Sequence, residues 1–412
     1  MAQNLTNYDE ALKIDYLPAI RKQLESATVL LSKVERNTKD VQGKQWQLTA
    51  HSQRNSGVGA GSETGLPTAG QQGYKNPYGT VKYNRGRIQI SGPVMKASKT
   101  DKASMIRALE SEIEGVTRDL KKDVNYQLMN DGTAVRALVN GDPGTGTTLT
   151  LDGPGTNWFH DGMHIAILDP ATGDITTSGS DLTVTSVDSA TTLTLSAAIN
   201  ADVADNDWVV RSGARAVGGG SLGANPSYEM MGLKGIIDDA TYVTTLHNLS
   251  RDTYEWWKCS THADDDNSGT NRALTLELIQ KSITAVEKNG GNVTMILSSH
   301  ELRDSYVALM AADKRYVNTL TLDGGWKALE YSSGGNGSIP WVAEVDMLPN
   351  TIFFVDLAHL QLMEMSGWDW MDEDGAVLSR VSGSDAYEAV LFKYADLATD
   401  RPRAHSFLRD VQ

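Results

Sequence analysis

Apolar residues over the first 45 positions, Leu12, Leu17, Ile20, Leu24, Leu30, Leu31 and Val34, fall at roughly helical spacing, with Pro18 where a helix can start. The pattern predicts an amphipathic arm over 1–45, packed on its own domain or reaching a neighbour. Between 46 and 97 the period changes. Trp46, Leu48 and Ala50 alternate with polar residues, nine glycines fall between Gly57 and Gly92, and alternation returns at Val81, Tyr83, Ile88 and Ile90. This predicts a long two-stranded hairpin. Its tip, SGVGAGSETGLPTAGQQG, is too polar and glycine-rich for a core. An isolated hairpin is marginal in water, so one this long must lie on something else.

Residues 98–130 carry the clearest helical stripe in the chain. Met105, Leu109, Ile113, Val116, Leu120, Val124 and Leu128 recur every three or four residues, and Ser98 with Asp101 forms a weak capping pattern. A helix of this length spans roughly 45 Å at 1.5 Å per residue. Its predicted buried face contains Leu109, Ile113, Val116 and Leu120. From 141 to 215 the chain turns to Thr, Asp and Gly, with short runs TTLTL, MHIAIL, DLTVTSV, TTLTL and DWVVR between turn residues. These predict five strands of a small all-β barrel or sandwich, inserted between GDPGTG and RAVGGGSLG. Residues 216–412 read as mixed α/β: a helix near 274–289 stopped by Gly290, a strand at 293–297, and a second helix opened by a capping box from Ser298 to Glu301. Strands follow at 341–345 and 351–357, and again from Ala386 to Leu397, where Val390, Leu391, Phe392 and Tyr394 favour strand over helix.

A chain of 412 residues with 40% hydrophobic and 22% charged positions is long enough for two or three domains. No apolar run reaches the roughly 18 residues a membrane span needs, so no membrane partner is expected. The N-terminus has no secretory pattern, so nothing here directs export, and a single cysteine fits assembly in a reducing cytoplasm. The lone Cys259 has no intrachain disulfide partner and reads as an inert buried thiol. Net charge is −15, unevenly placed. Residues 46–97 carry six Lys/Arg against one acid, whereas 141–215 carry two against ten and 216–412 fifteen against twenty-eight. A basic hairpin in an acidic chain points to a protein partner, a second copy above all.

Chemistry is sparse. Nucleotide-binding, zinc-protease, redox and nucleophile-elbow motifs do not occur, and no cofactor is expected. His160 and His164 are the closest histidines, but in a β segment they stand too far apart for a metal. Asp264, Asp265, Asp266 and Gly269 resemble the start of a calcium loop whose twelfth position is Thr275, so a solvated acidic loop is the expectation. Lys75, Lys82, Arg85 and Arg87, interleaved with Tyr74, Tyr78 and Tyr83, have the look of a nucleic-acid patch, yet the chain is too acidic for that to be its main task. They are instead the candidate inter-subunit contact.

The order arm, basic hairpin, long helix, mixed α/β domain and strand-rich return resembles the major capsid proteins of tailed bacteriophages, the Hong Kong 97 type. Two runs carry the likeness, WMDEDGAVLSRVSGSDAYEAVLFKYADLATDRPRAH at 370–405 and SIPWVAEVDMLPNTIFFVDLAHLQL at 338–362. The resemblance implies an α+β capsid fold: N-terminal arm 1–45, extended loop 46–97, spine helix 98–140 of a peripheral domain, insertion domain 141–215, axial domain 216–380, and a return to the peripheral domain over 381–412. It implies a non-enzymatic subunit that assembles with itself into hexamers and pentamers of an icosahedral head around double-stranded DNA, touched only non-specifically. A portal and a decoration protein are implied partners, and so is a separate scaffold protein, because only a short arm precedes the hairpin. Some relatives cross-link subunits through a lysine and an asparagine; Lys75 or Lys82 would be the lysine, but no pattern identifies the asparagine. An encapsulin-like nanocompartment shell is the alternative.

Overall fold

Lys102–Met129 forms one unbroken helix. In the computed structural model, which describes residues 29–61, 63, 65–93, 102–262, 270–312, 319–321, 327–333, 337–372 and 377–412, this spine lies against a long strand. The periodic face is the buried one: Ile113, Leu120, Val124 and Leu128 enter the largest apolar core, with half-buried Val116 packed on it. The Ser98–Asp101 cap and the side chain of Leu109 lie outside the described residues.

The facing sheet is centred on Ala386–Thr399. On one side Lys82–Ser91 pairs with it antiparallel, from Lys82 opposite Ala395 to Ser91 opposite Ala386. On the other side runs Leu360–Trp370, extended by Ser379–Arg380, and Glu35–Asn37 adds to Leu360–Trp370 in parallel. The helix approaches this sheet at Gly86, where a Cβ would sit 2.6 Å from Val116 Cγ1, so only glycine fits. Two expectations change here. The alternating stretch with Ile88 and Ile90 is a fixed strand of the main sheet and not half of a free hairpin. The helical arm shrinks, among the described residues, to Val29–Lys33, after which the chain turns to strand, although Leu30, Leu31 and Val34 are buried.

A second, seven-stranded sheet runs in the order Ser260–His262, Ser406–Arg409, Thr351–Val355, Met295–Ser298, Gly337–Ala343, Lys327–Ser333, Thr319–Thr321. Both its faces are buried. Ile296, Trp341, Ile352, Phe354 and Leu408 meet the helices Leu276–Lys288 and His300–Ala312, while Met295, Leu297, Val342, Phe353 and Phe407 face the main core. That is why TIFFV is apolar without alternation. Thr275 caps the first helix by accepting from the Leu278 N–H at 3.3 Å, and Gly290 leaves it at φ +76°. The second helix is capped by Ser299, not by Ser298 as expected. Ser298 Oγ instead accepts from Trp341 Nε1 at 2.7 Å, and Ser299 Oγ accepts from the Leu302 N–H at 3.4 Å.

Sheet membership redraws two expected limits. Leu360–Trp370, expected within the 216–380 segment, belongs to the first sheet. The 381–412 return divides, since Ala386–Thr399 joins the first sheet and Ser406–Arg409 the second.

The β-rich insert is a closed antiparallel barrel with its own core of residues such as Leu149, Leu151, Ile165, Ile167, Leu193 and Val209. All five expected strands are present: Gly146–Asp152, His164–Leu168, Leu182–Val187, Thr192–Ile199 and Trp208–Arg211. A sixth, Val135–Val139, pairs with the first and last of these and moves the boundary N-terminal to 141. His160 sits in a turn ahead of the strand that begins at His164. The two rings bond separately, to Asp161 O and Asp181 Oδ1. Among the described residues no three metal-ligating side chains come together, and the acidic loop at 264–269 lies outside them.

Candidate assembly surface

The hairpin is built from two short ladders. Gln45–Gln47 pairs with Tyr78–Thr80, Ala50–Gln53 pairs with Gly73–Lys75, and Val41–Gln42 folds back on Gln45–Gln47 as a third strand at the base. Its root rests on its own chain. Buried Trp46 donates from Nε1 to Asp396 Oδ2 at 3.0 Å and sets its ring edge-on to His247 at 4.7 Å. The Tyr78 N–H donates to His247 O at 3.1 Å. Asp396 also accepts from the Met231 N–H at 3.0 Å. Burial still pushes its carboxyl up to about 6, against the pull of that bond and of Lys82.

The four basic residues do not form one patch. Lys82, expected on the contact surface, is turned inward: Nζ donates to Ser227 O at 2.7 Å, and burial lowers its pKa. Lys75 lies over the Tyr254 ring, 5.3 Å from its centroid. Arg85 lies 5.5 Å from the Tyr83 ring and 5.8 Å from that of Tyr394, and Arg87 Nε donates to Glu388 Oε2 at 2.7 Å. Arg85 and Arg87 therefore belong to the exposed side of the main sheet and Lys75 to the hairpin. The sequence reading missed two tip residues, Val58 and Leu66, whose side chains are 84% and 95% exposed. The signal was two aliphatic residues in an otherwise polar loop.

Behind the sheet, charged side chains tie the barrel to the end of the spine helix. Arg136 Nη2 meets Asp123 Oδ1 at 2.6 Å, Arg211 approaches the same carboxylate at 3.8 Å, and Lys234 meets Asp131 at 2.8 Å. Arg215 donates to Thr133 O and Asn225 O, closing the neck of the barrel. Glu229 is buried here with neither oxygen hydrogen-bonded among the described residues, and burial pushes it up to about 7, against the nearby Arg136. Beside Asn125 of the spine helix, Glu344 Oε1 accepts from the Val29 N–H at 3.2 Å and is likewise pushed up to about 7 by burial. Cys259 is buried and pushed up to about 12 by desolvation, which leaves it a poor nucleophile.

A family model described as SU10 major capsid protein matches residues 205–412, half of the chain. The chain belongs to the SU10 major capsid protein family. It is a tailed-phage major capsid protein, a structural subunit of a shell made from many copies, and its place is the virion. The sequence match begins just before the last barrel strand, so hairpin, spine helix and most of the barrel lie outside it. The fold covers them. The cyanophage A-1(L) capsid asymmetric unit aligns over 93% of both chains with a TM-score of 0.56 at 16% identity. Fainter likenesses are the capsid of an empty GTA particle, with a TM-score of 0.47 at 10% identity over 93% of this chain and 96% of that one. The holo-SrpI encapsulin complex from Synechococcus elongatus PCC 7942 reaches a TM-score of 0.46 at 8% identity over 100% and 96%. No curated protein matches the sequence.

Proposed function

We propose that the subunit forms hexamers and pentamers of an icosahedral head closed around double-stranded DNA, with each hairpin clamping an adjacent copy. In this reading the part of 46–97 ahead of Lys82 is the extended loop, and the spine helix with the sheet centred on Ala386–Thr399, Lys82–Ser91 included, forms the peripheral domain. The seven-stranded sheet is the axial domain and the barrel the insertion domain. Ile113, Val116 and Leu120 hold the spine helix to its own subunit. One observation carries the clamp: a hairpin fastened to its own chain at the root ends in a tip that exposes Val58 and Leu66 almost fully. Single exposed aliphatics are ordinary on a surface, but two at the end of a coreless projection mark a contact. Lys75 supplies the hairpin's positive charge toward the acidic surface of the neighbour and Lys82 anchors from within, while Arg85 and Arg87 meet a neighbouring copy from the main sheet and not from the clamp. A net charge of −15 leaves packaged DNA only non-specific contact. A portal, a separate scaffold and a decoration protein complete the partners, with assembly in the host cytoplasm and no enzymatic step.

Electron cryo-microscopy of particles purified from cells expressing the chain with its neighbouring genes tests this reading. Icosahedral shells with hairpin tips resting on adjacent subunits are expected. Shells filled with an enzyme and no DNA would replace it with the encapsulin-like alternative, and tips ending in open solvent would remove the clamp.

A further inference from the structure

Lys82–Ser91 is ten residues long and has a ladder on one side only, along Ala386–Thr399. Among the described residues, no backbone N–H or C=O of 83–91 is hydrogen-bonded outside that pairing. A free edge of this length is a template for a further strand, and folds normally blunt or cover it. Beside it runs a cleft of about 240 Å³. Its strand-side wall is Arg85, Gly86 and Arg87 with no residue of 386–399, so the cleft lies on the unpaired side. The spine helix forms the floor with Val116 and Leu120, and the barrel supplies the far wall with Trp158 and Met163. An apolar floor beside open backbone groups is the arrangement by which an extended peptide is gripped in strand addition.

The rim selects the charge of that peptide. Arg85, Arg87, Lys122 and Arg211 all line the cleft. Against these and Arg136 stand three acids, Asp119, Asp123 and Asp346, of which Asp123 is engaged by Arg136 and Arg211 and Asp346 accepts from Asn125 Nδ2 at 2.8 Å. The cleft is thus net basic in a chain whose segment 216–412 carries fifteen Lys/Arg against twenty-eight Asp/Glu. In a shell, that acidic half recurs beside every subunit. We propose that the cleft receives an extended acidic segment from the 216–412 half of a second copy, laid as an added strand along Lys82–Ser91. This contact is separate from the hairpin tip and rests only on assembly of copies into a shell.

The test uses particles of the full-length chain with the photoreactive residue p-benzoylphenylalanine at Lys122, an exposed cleft residue, and in a parallel preparation at Leu66. After irradiation, a denaturing gel and peptide mass spectrometry locate the cross-links. From Lys122 a chain-to-chain dimer is expected, mapped to an acidic stretch between 216 and 412. Arg85→Glu in the same chain should cut its yield about threefold, the size of one exposed charge pair. If the Lys122 variant does not fold by circular dichroism, Arg211 carries the probe instead. Cross-links confined to the probe's own chain, or to another protein species, overturn the proposal. A dimer from Leu66 with none from the cleft overturns it while leaving the clamp in place, and a dimer from the cleft with none from Leu66 does the reverse.

Discussion

Glu229 carries the sharpest consequence at the scale of single residues. A carboxyl pushed from 4.5 up to about 7 by burial stabilises the fold only while protonated. Its contribution is complete below the unfolded pKa of about 4.5 and lost as pH rises through about 7, a swing on the order of 3 kcal/mol. Glu229→Gln keeps the shape and removes the charge, so the variant should be more stable than wild type by about 1–3 kcal/mol at pH 8 and nearly equal to it at pH 4.5. Urea melts at the two pH values decide this, and a gain that does not depend on pH would refute the cause given. His247 and His405, pushed down to about 3 and about 4 by burial, act in the opposite sense. Their stabilisation is present above pH 6.5 and lost on acidification. Arg251 and Asp238 make an ion pair with no exposed surface, and the guanidinium also donates to the carbonyls of Ile236 and Val243. Arg251→Ala strands that carboxylate and should cost about 3–5 kcal/mol in a thermal melt. Little of this was legible in the sequence. Lys82 reads as one of four similar hairpin cations, and only the fold reveals that a carbonyl from 227 turns it inward.

Among elements, the spine helix was legible almost in full, because a stripe repeated over seven turns has one geometrical solution. Ile113→Asp places an unpaired charge in the core and should cost several kcal/mol, seen as lost soluble yield. An unchanged yield would mean that the face is exposed. Where the helix meets the sheet, Gly86→Ala should cost about 1–3 kcal/mol by crowding Val116 Cγ1. Adding Val116→Ala should recover part of the loss, and a double-mutant cycle with no coupling would show that the two do not touch. Strands were legible as strands but not as neighbours. Ala386–Thr399 is hard to tell from a helix because most of its inner half is buried on both faces, which erases alternation. The sixth barrel strand was missed because Val135–Val139 follows the helix after a short turn and shares no composition with the threonine-rich runs.

On the scale of the whole molecule, the barrel and the hairpin are the parts built on sheets of their own. The barrel owns its core, so replacing 134–213 with a short Gly-Ser bridge should leave a soluble, helical remainder by circular dichroism, whereas a cut at 141 would orphan one strand. Leu66→Ser should lower particle yield in a sedimentation assay while leaving the thermal melt of the free subunit unchanged, since the side chain is 95% exposed. A parallel fall in melting temperature would place Leu66 inside the fold. The overall order of parts was legible, but the division between sheets was not, because the chain crosses from one sheet to the other and back within its last stretch. That crossing has a consequence for synthesis. Ala386–Thr399 is the middle of one sheet, and Ser406–Arg409 sits between Ser260–His262 and Thr351–Val355 in the other. A nascent chain emerging from the ribosome therefore leaves both sheets split until these late strands are made. A polypeptide terminated before 386 lacks the strand that joins the halves of either sheet, so such chains are expected to be missing from purified particles, which mass spectrometry of the particles would check.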